Sequence, residues 1–120
     1  MDTFTTAYIE AALWASVDDD ERPLDSNYCV EDFAPEALAR IESDCERFQR
    51  ENAGSLARWT DDEGAGHDFW LTRNHHGAGF WDRFRDDTPQ GKIGRRLTNA
   101  AEEFGMCDIY VGDDGKLYLG

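Results

Sequence analysis

The sequence predicts an α+β fold, a single domain over residues 1–120 in which a small, mostly antiparallel three-stranded sheet packs with about three helices. Three observations carry this reading. Apolar residues recur at three- and four-residue steps in three separate stretches, as a helix with one buried side requires. Two short apolar runs near the C-terminus flank a turn, which makes a hairpin. A third run, over residues 68–73, alternates and completes the sheet.

The first helix is expected over residues 4–15. Phe4, Tyr8, Ala11, Ala12 and Ala15 fall at helical spacing, with Thr3, Thr5 or Thr6 as caps. Residues 16–28 hold Asp18, Asp19, Asp20, Glu21 and Pro23 and read as an acidic loop. The aspartate run is similar to a calcium loop, but it has neither the glycine of the sharp turn nor the terminal bidentate Glu. The second helix follows Pro35, which suits a first helical turn, with a cap among residues 32–34. Leu38, Ile41, Cys45 and Phe48 form its apolar stripe. Glu36 with Arg40, and Glu46 with Arg50, have the spacing and order of helical ion pairs. Gly54 either ends this helix or weakens it on the way to Trp59.

Asp61, Asp62 and Glu63 mark a second acidic loop over residues 60–66. In the strand expected at 68–73, Phe69 and Leu71 alternate with Trp70 and Thr72. A glycine turn leads to Phe80 and Trp81, both expected in the core. The third helix is expected over residues 95–104, with Leu97, Ala100, Ala101 and Phe104 inward and Gly105 as its stop. Ile109 and Val111 then pair with Leu117 and Leu119 around Asp113, Asp114 and Gly115.

Charge narrows the function more than any motif does. The chain has 26 acidic and 12 basic residues, a net charge of −14. Residues 1–66 contain 17 acidic and 5 basic residues, a net of −12, against −2 for residues 67–120. Such a field repels nucleic acid and anionic membrane and speeds encounter with basic surfaces. It also keeps a protein soluble, and acidity alone is compatible with that duty. With 40% apolar residues, among them 7 Phe, 4 Trp and 4 Tyr, the chain has material for a core and is not a disordered acidic tail.

No apolar run approaches the roughly 18 residues of a membrane span, and the N-terminus has no basic segment of a secretory signal. A cytoplasmic protein is expected. Cys29, Cys45 and Cys107 are odd in number and form no CxxC pair, so reduced thiols are expected rather than disulfides. A metal site joining them to His67, His75 or His76 would lack the paired ligands that zinc sites take from one tight turn. No metal, cofactor or catalytic residue is therefore expected. No Gly-rich phosphate loop, Ser/His/Asp set or Cys/His nucleophile is recognisable.

One stretch has the look of a motif. Phe69, Trp70, Leu71, Thr72, Arg73 and Asn74 run into adjacent His75 and His76. Gly77, Ala78, Gly79, Phe80, Trp81, Asp82 and Arg83 follow. Together with the Leu97–Ala101 segment and the final run from Asp108 to Gly115, it resembles a family of small acidic proteins encoded in phage and prophage genomes. The resemblance covers nearly the whole chain. It implies a context, a phage product made in the cytoplasm of a bacterial host, and no particular chemistry. On the residues themselves the stretch reads first as structure: a glycine turn held by Phe80 and Trp81, with Asp82 paired to Arg73 or Arg83.

Two functions follow. The first is a phage-encoded interaction protein, an inhibitor of a host defence nucleoprotein complex of the anti-CRISPR or anti-restriction type. It would occupy a basic nucleic-acid channel with carboxylates in place of phosphates. Its contact residues would be Asp18, Asp19, Asp20, Glu21, Asp25, Glu31, Asp32, Asp61, Asp62 and Glu63. The alternative is a small metal-dependent enzyme or metal-binding protein centred on His75, His76 and Asp82. A host-takeover or structural phage protein, acidic only for solubility, is a further reading.

Overall fold

A computed structural model describes all of residues 1–120. Five helices and one hairpin share a core of aromatic and aliphatic side chains. Helix α1 (Thr3–Ala15) begins at Asp2, whose carboxylate accepts the Thr5 N–H at 2.7 Å, so an acid takes the capping place expected of a threonine. Helix α2 (Pro35–Glu51) starts on Pro35 and buries Ala37, Ile41, Cys45 and Phe48. It ends at Asn52, before Gly54, and a short helix α3 (Ala53–Ala57) follows. Glu46 and Arg50 pair as expected; Glu36 and Arg40 do not, and Arg47 meets Glu51 instead.

Helix α4 (Asp62–Arg73) replaces both the loop expected at 60–66 and the strand expected at 68–73. Asp61 caps it by accepting the Gly64 N–H at 2.6 Å, and the acidic residues after it complement the helix dipole. Ala65, Gly66, Asp68, Phe69, Trp70, Thr72 and Arg73 are all buried. A helix enclosed on most of its circumference shows no apolar stripe, and its short apolar run is indistinguishable from a strand by periodicity. The sheet is therefore two-stranded, not three-stranded.

Helix α5 (Pro89–Glu103) starts six residues earlier than expected. Thr88 caps it, with Oγ1 accepting the Gly91 N–H at 3.0 Å, and Pro89 occupies its first turn. Strands β1 (Ile109–Val111) and β2 (Leu117–Leu119) pair antiparallel, with Ile109 opposite Leu119 and Val111 opposite Leu117. Gly115 takes φ +81° in the turn, a conformation that suits glycine. At the place of a third strand, Phe33 makes a lone parallel bridge to Leu117, and the Ala34 N–H donates to the Leu117 carbonyl.

Helices α1 and α4 make the central pair. A Cβ on Gly66 would overlap the Phe4 carbonyl oxygen, so the backbones meet at a distance only glycine permits. Around this crossing, Phe48 and Phe69 stack at 4.1 Å between ring centroids, and Phe4, Tyr8, Phe80 and Phe104 pack around them. Trp70 is buried. Trp81, expected in the core, is 49% exposed, and only Phe80 of that pair turns inward.

At the end of α4 the Arg73 side chain is 1% exposed. Its Nε donates to the Gly105 carbonyl at 2.8 Å and one terminal nitrogen to the Phe104 carbonyl at 3.1 Å. The other meets the Asp44 carboxylate of α2 at 2.9 Å and the Tyr8 hydroxyl of α1 at 3.3 Å. No helix is long and apolar enough to cross a membrane.

Arg73→Ala should cost about 3–5 kcal/mol in urea unfolding, because it strands a part-buried carboxylate and two carbonyls. Gly66→Ala should cost about 1–3 kcal/mol by forcing α1 from α4. In the same assay Trp70→Ala should cost about 3–5 kcal/mol. The loss for Trp81→Ala should be much smaller.

Candidate acidic docking surface

Buried and exposed residues divide α1 cleanly. Phe4, Ala7, Tyr8, Ala11 and Ala12 face the core, while Thr3, Thr6, Glu10 and Trp14 form an exposed stripe at helical spacing. Past the helix the stripe continues into Val17 and the first acidic loop. Trp14 is 67% and Val17 53% exposed, and they stand directly before four consecutive acids. At the other end of α1, Thr3 shares a cleft with Asp61, Asp62, Glu63, Gly64 and His67. The two acidic segments thus lie at opposite ends of α1, about 20 Å apart at 1.5 Å per residue, rather than side by side.

The ten predicted contact residues divide into two groups. Five are engaged in holding local structure. Asp18 accepts the backbone N–H groups of Asp20 and Arg22 and the Arg22 Nε–H, and these bonds hold its carboxyl below the ordinary range. Asp20 pairs with Arg22, Asp32 accepts the Cys29 N–H at 2.8 Å, and Asp61 caps α4. Glu31 accepts from the Cys29 thiol, which lowers the carboxyl and raises the thiol. The remaining five, Asp19, Glu21, Asp25, Asp62 and Glu63, are exposed and free to face a partner. Arg22 sits inside the first loop and closes it, so part of the charge there is neutralised from within.

The stretch over residues 69–83 is built as a structural knot. The Phe80 N–H donates to Thr72 Oγ1, Asn74 Oδ1 accepts the Cys107 N–H, and the Gly79 N–H donates to Asp82. Asp82 pairs with neither Arg73 nor Arg83. Arg83 instead grips Asp68 through two nitrogens, one at 2.9 Å, and Asp68 is fully buried. Burial pushes the Asp68 carboxyl up, and the guanidinium opposes that shift. His75 is exposed on a left-handed residue at φ 56°, and the His76 ring packs on Trp70 at 5.0 Å. The ligand atoms of His75, His76 and Asp82 do not converge; the one convergent trio in the chain is Glu10, Glu63 and His67.

All three cysteines are free thiols. Cys45 and Cys107 are buried, and burial pushes Cys45 up to about 12, so it offers little thiolate at neutral pH. Comparison with family models, curated proteins and solved structures gave no match. The likeness to phage-encoded proteins rests on the quoted motifs alone. Two features of this surface escaped the sequence reading. A tryptophan in an apolar helix reads as core, so nothing local marks Trp14 as exposed. Glu10 reaches Glu63 and His67 only through the α1–α4 packing, although the i, i+4 spacing of Glu63 and His67 was visible.

Arg83→Ala should cost about 3–5 kcal/mol at neutral pH by leaving Asp68 buried and unpaired. A carboxyl raised in the folded state penalises folding only above its unfolded value, near 3.8. The loss should therefore shrink as pH falls toward about 4 and grow as it rises, in melts recorded across that window.

Proposed function

We propose that the protein is an acidic interaction protein that docks on a basic protein surface. The fuller form of the reading is a phage-encoded inhibitor of a host defence nucleoprotein complex, acting in the bacterial cytoplasm on a channel that otherwise holds nucleic acid. The observation that carries it is the exposed stripe of α1, which places Trp14 and Val17 against the acidic turn. Exposed tryptophans are frequent hot spots of interfaces, and charges around them set encounter rate and partner choice. A surface acidic only for solubility gives no role to an exposed Trp beside its densest carboxylates.

The contact set supported by the geometry is narrower than the sequence set: Asp19, Glu21 and Asp25 around Trp14 and Val17, with Asp62 and Glu63 at the far end of the stripe. Asp18, Asp20, Glu31, Asp32 and Asp61 act by holding the local structure that displays them. Direct nucleic-acid binding does not belong to this reading, because a chain of net charge −14 repels phosphate.

Affinity capture from a bacterial lysate, at low and at high salt, identifies the partner. Against that partner, a triple variant Asp19→Asn, Glu21→Gln, Asp25→Asn should lower the association rate by about tenfold and flatten its salt dependence. Trp14→Ala should act on the dissociation rate instead. Unchanged rates in both variants would remove this surface from the function, and retention of duplex DNA at physiological salt would contradict the reading as a whole.

A further inference from the structure

Glu63 and His67 stand four residues apart on one side of α4, and Glu10 meets them from α1. One carboxylate oxygen from each Glu and an imidazole nitrogen all lie within 4.8 Å of one another. The His67 ring is partly exposed, yet its Nε2 is closed off from solvent and has no hydrogen-bond partner. Glu10 Oε2 lies 3.5 Å from that nitrogen, beyond a good hydrogen bond. A buried polar atom without a partner calls for an explanation. An ion pair with Glu10 would supply one if the ring were protonated. It would leave the carboxylate of Glu63, in the first turn of α4, close to that of Glu10 with only the helix dipole to offset their repulsion.

We infer that Glu10, Glu63 and His67 bind a divalent first-row metal ion of the Zn²⁺ type. Such an ion neutralises both carboxylates and gives Nε2 the partner it lacks. Ligands of one zinc ion sit about 2.0–2.2 Å from the metal, and so roughly 3–3.5 Å from one another. The trio reaches that spacing by rotation of Glu10 and Glu63, both of which are exposed and free to move. One imidazole nitrogen with two carboxylate oxygens suits zinc, cobalt or manganese. It suits neither Mg²⁺ nor Ca²⁺, which take all-oxygen shells, nor thiolate-seeking Cu⁺.

Three protein ligands leave coordination positions open. Glu10 and Glu63 also line a cleft of about 220 Å³ with Met1, Thr3, Thr6 and Ala7. Asp61 and Asp62 border the adjoining cleft and add to the local negative potential that draws a cation in. The bound ion would clamp α1 to α4 on the solvent side of their crossing. A metal here would depart from the expectation drawn from the histidine and cysteine spacing.

Chelator-treated full-length protein, titrated with Zn²⁺ and with Co²⁺ at physiological salt, tests the inference, with Mg²⁺ as the control. Binding of one Zn²⁺ per chain is expected, with a rise in melting temperature. The imidazole resonances of His67 should move while those of His75 and His76 stay. Glu10→Gln and His67→Gln alter exposed or half-exposed side chains. Each should weaken Zn²⁺ binding by about tenfold or more and abolish the rise in melting temperature. Asp19→Asn with Asp20→Asn should leave binding intact. Three outcomes overturn the site: no Zn²⁺ or Co²⁺ binding by the native chain, full binding by both single-site variants, or binding that Mg²⁺ matches and salt removes. The site shares Glu10 and Glu63 with the docking surface, but the docking test reads partner association through Asp19, Glu21, Asp25 and Trp14, so either proposal can fail without the other.

Discussion

Most of the chain's elements are held in register by one buried guanidinium. Arg73 closes α4, and from there it reaches Tyr8 on α1, Asp44 on α2 and the carbonyls of Phe104 and Gly105 beyond α5. Placing a cation at 1% exposure is costly, and burial works against its charged form. The cost is offset because the donors find partners, one of them a carboxylate, and because the faces of Phe69 and Phe104 lie 5.5 Å from the guanidinium. An apolar side chain of the same volume could fill the space but could not satisfy the exit carbonyls of α5. Arg73 therefore ties the end of the last helix to α1, α2 and α4.

Much of this architecture is legible in the residues. The apolar steps of α2, the proline and stripe of its first turns, and the hairpin around Gly115 are local signals, and each element forms where they indicate. The signal fails where burial is not one-sided. In α4, Asp68, Phe69, Trp70, Thr72 and Arg73 are all enclosed, so the pattern that marks an amphipathic helix is absent and a six-residue fragment reads as a strand. Asp61 as a cap was available as a correction, since an acid ahead of Asp62 and Glu63 suits a helix start as well as a loop. The partners of Arg73 and Arg83 lie 15 to 65 residues away and have no local trace.

The surface was read in outline and altered in detail. Charge counting marked the acidic half and its loops, because net charge needs no coordinates. It could not separate carboxylates that bind their own backbone, such as Asp18 and Asp61, from those turned outward, such as Asp19 and Asp62. Nor could it bring Glu10 to Glu63 and His67, which requires the contact of Gly66 with the Phe4 carbonyl. The motif around His75 and His76 proved to be the frame that holds Asp68, Arg83 and Phe80 in place. Of its histidines, His75 is exposed and His76 packs on Trp70.

The pairing of α1 with α4 also shapes how the chain is made. Helix α1 leaves the ribosome before α4, carrying Phe4, Tyr8, Ile9 and Leu13, and the α4 residues that pack on it follow about sixty positions later. At about 5–20 residues per second the nascent chain waits for several seconds with that apolar face uncovered. During the wait the neighbouring segment is the run from Asp18 to Glu21, whose like charges keep nascent chains apart. The run from Asp18 to Glu21 thus gives the emerging α1 a charged neighbour before α4 covers it, a duty separate from whatever the finished surface later meets.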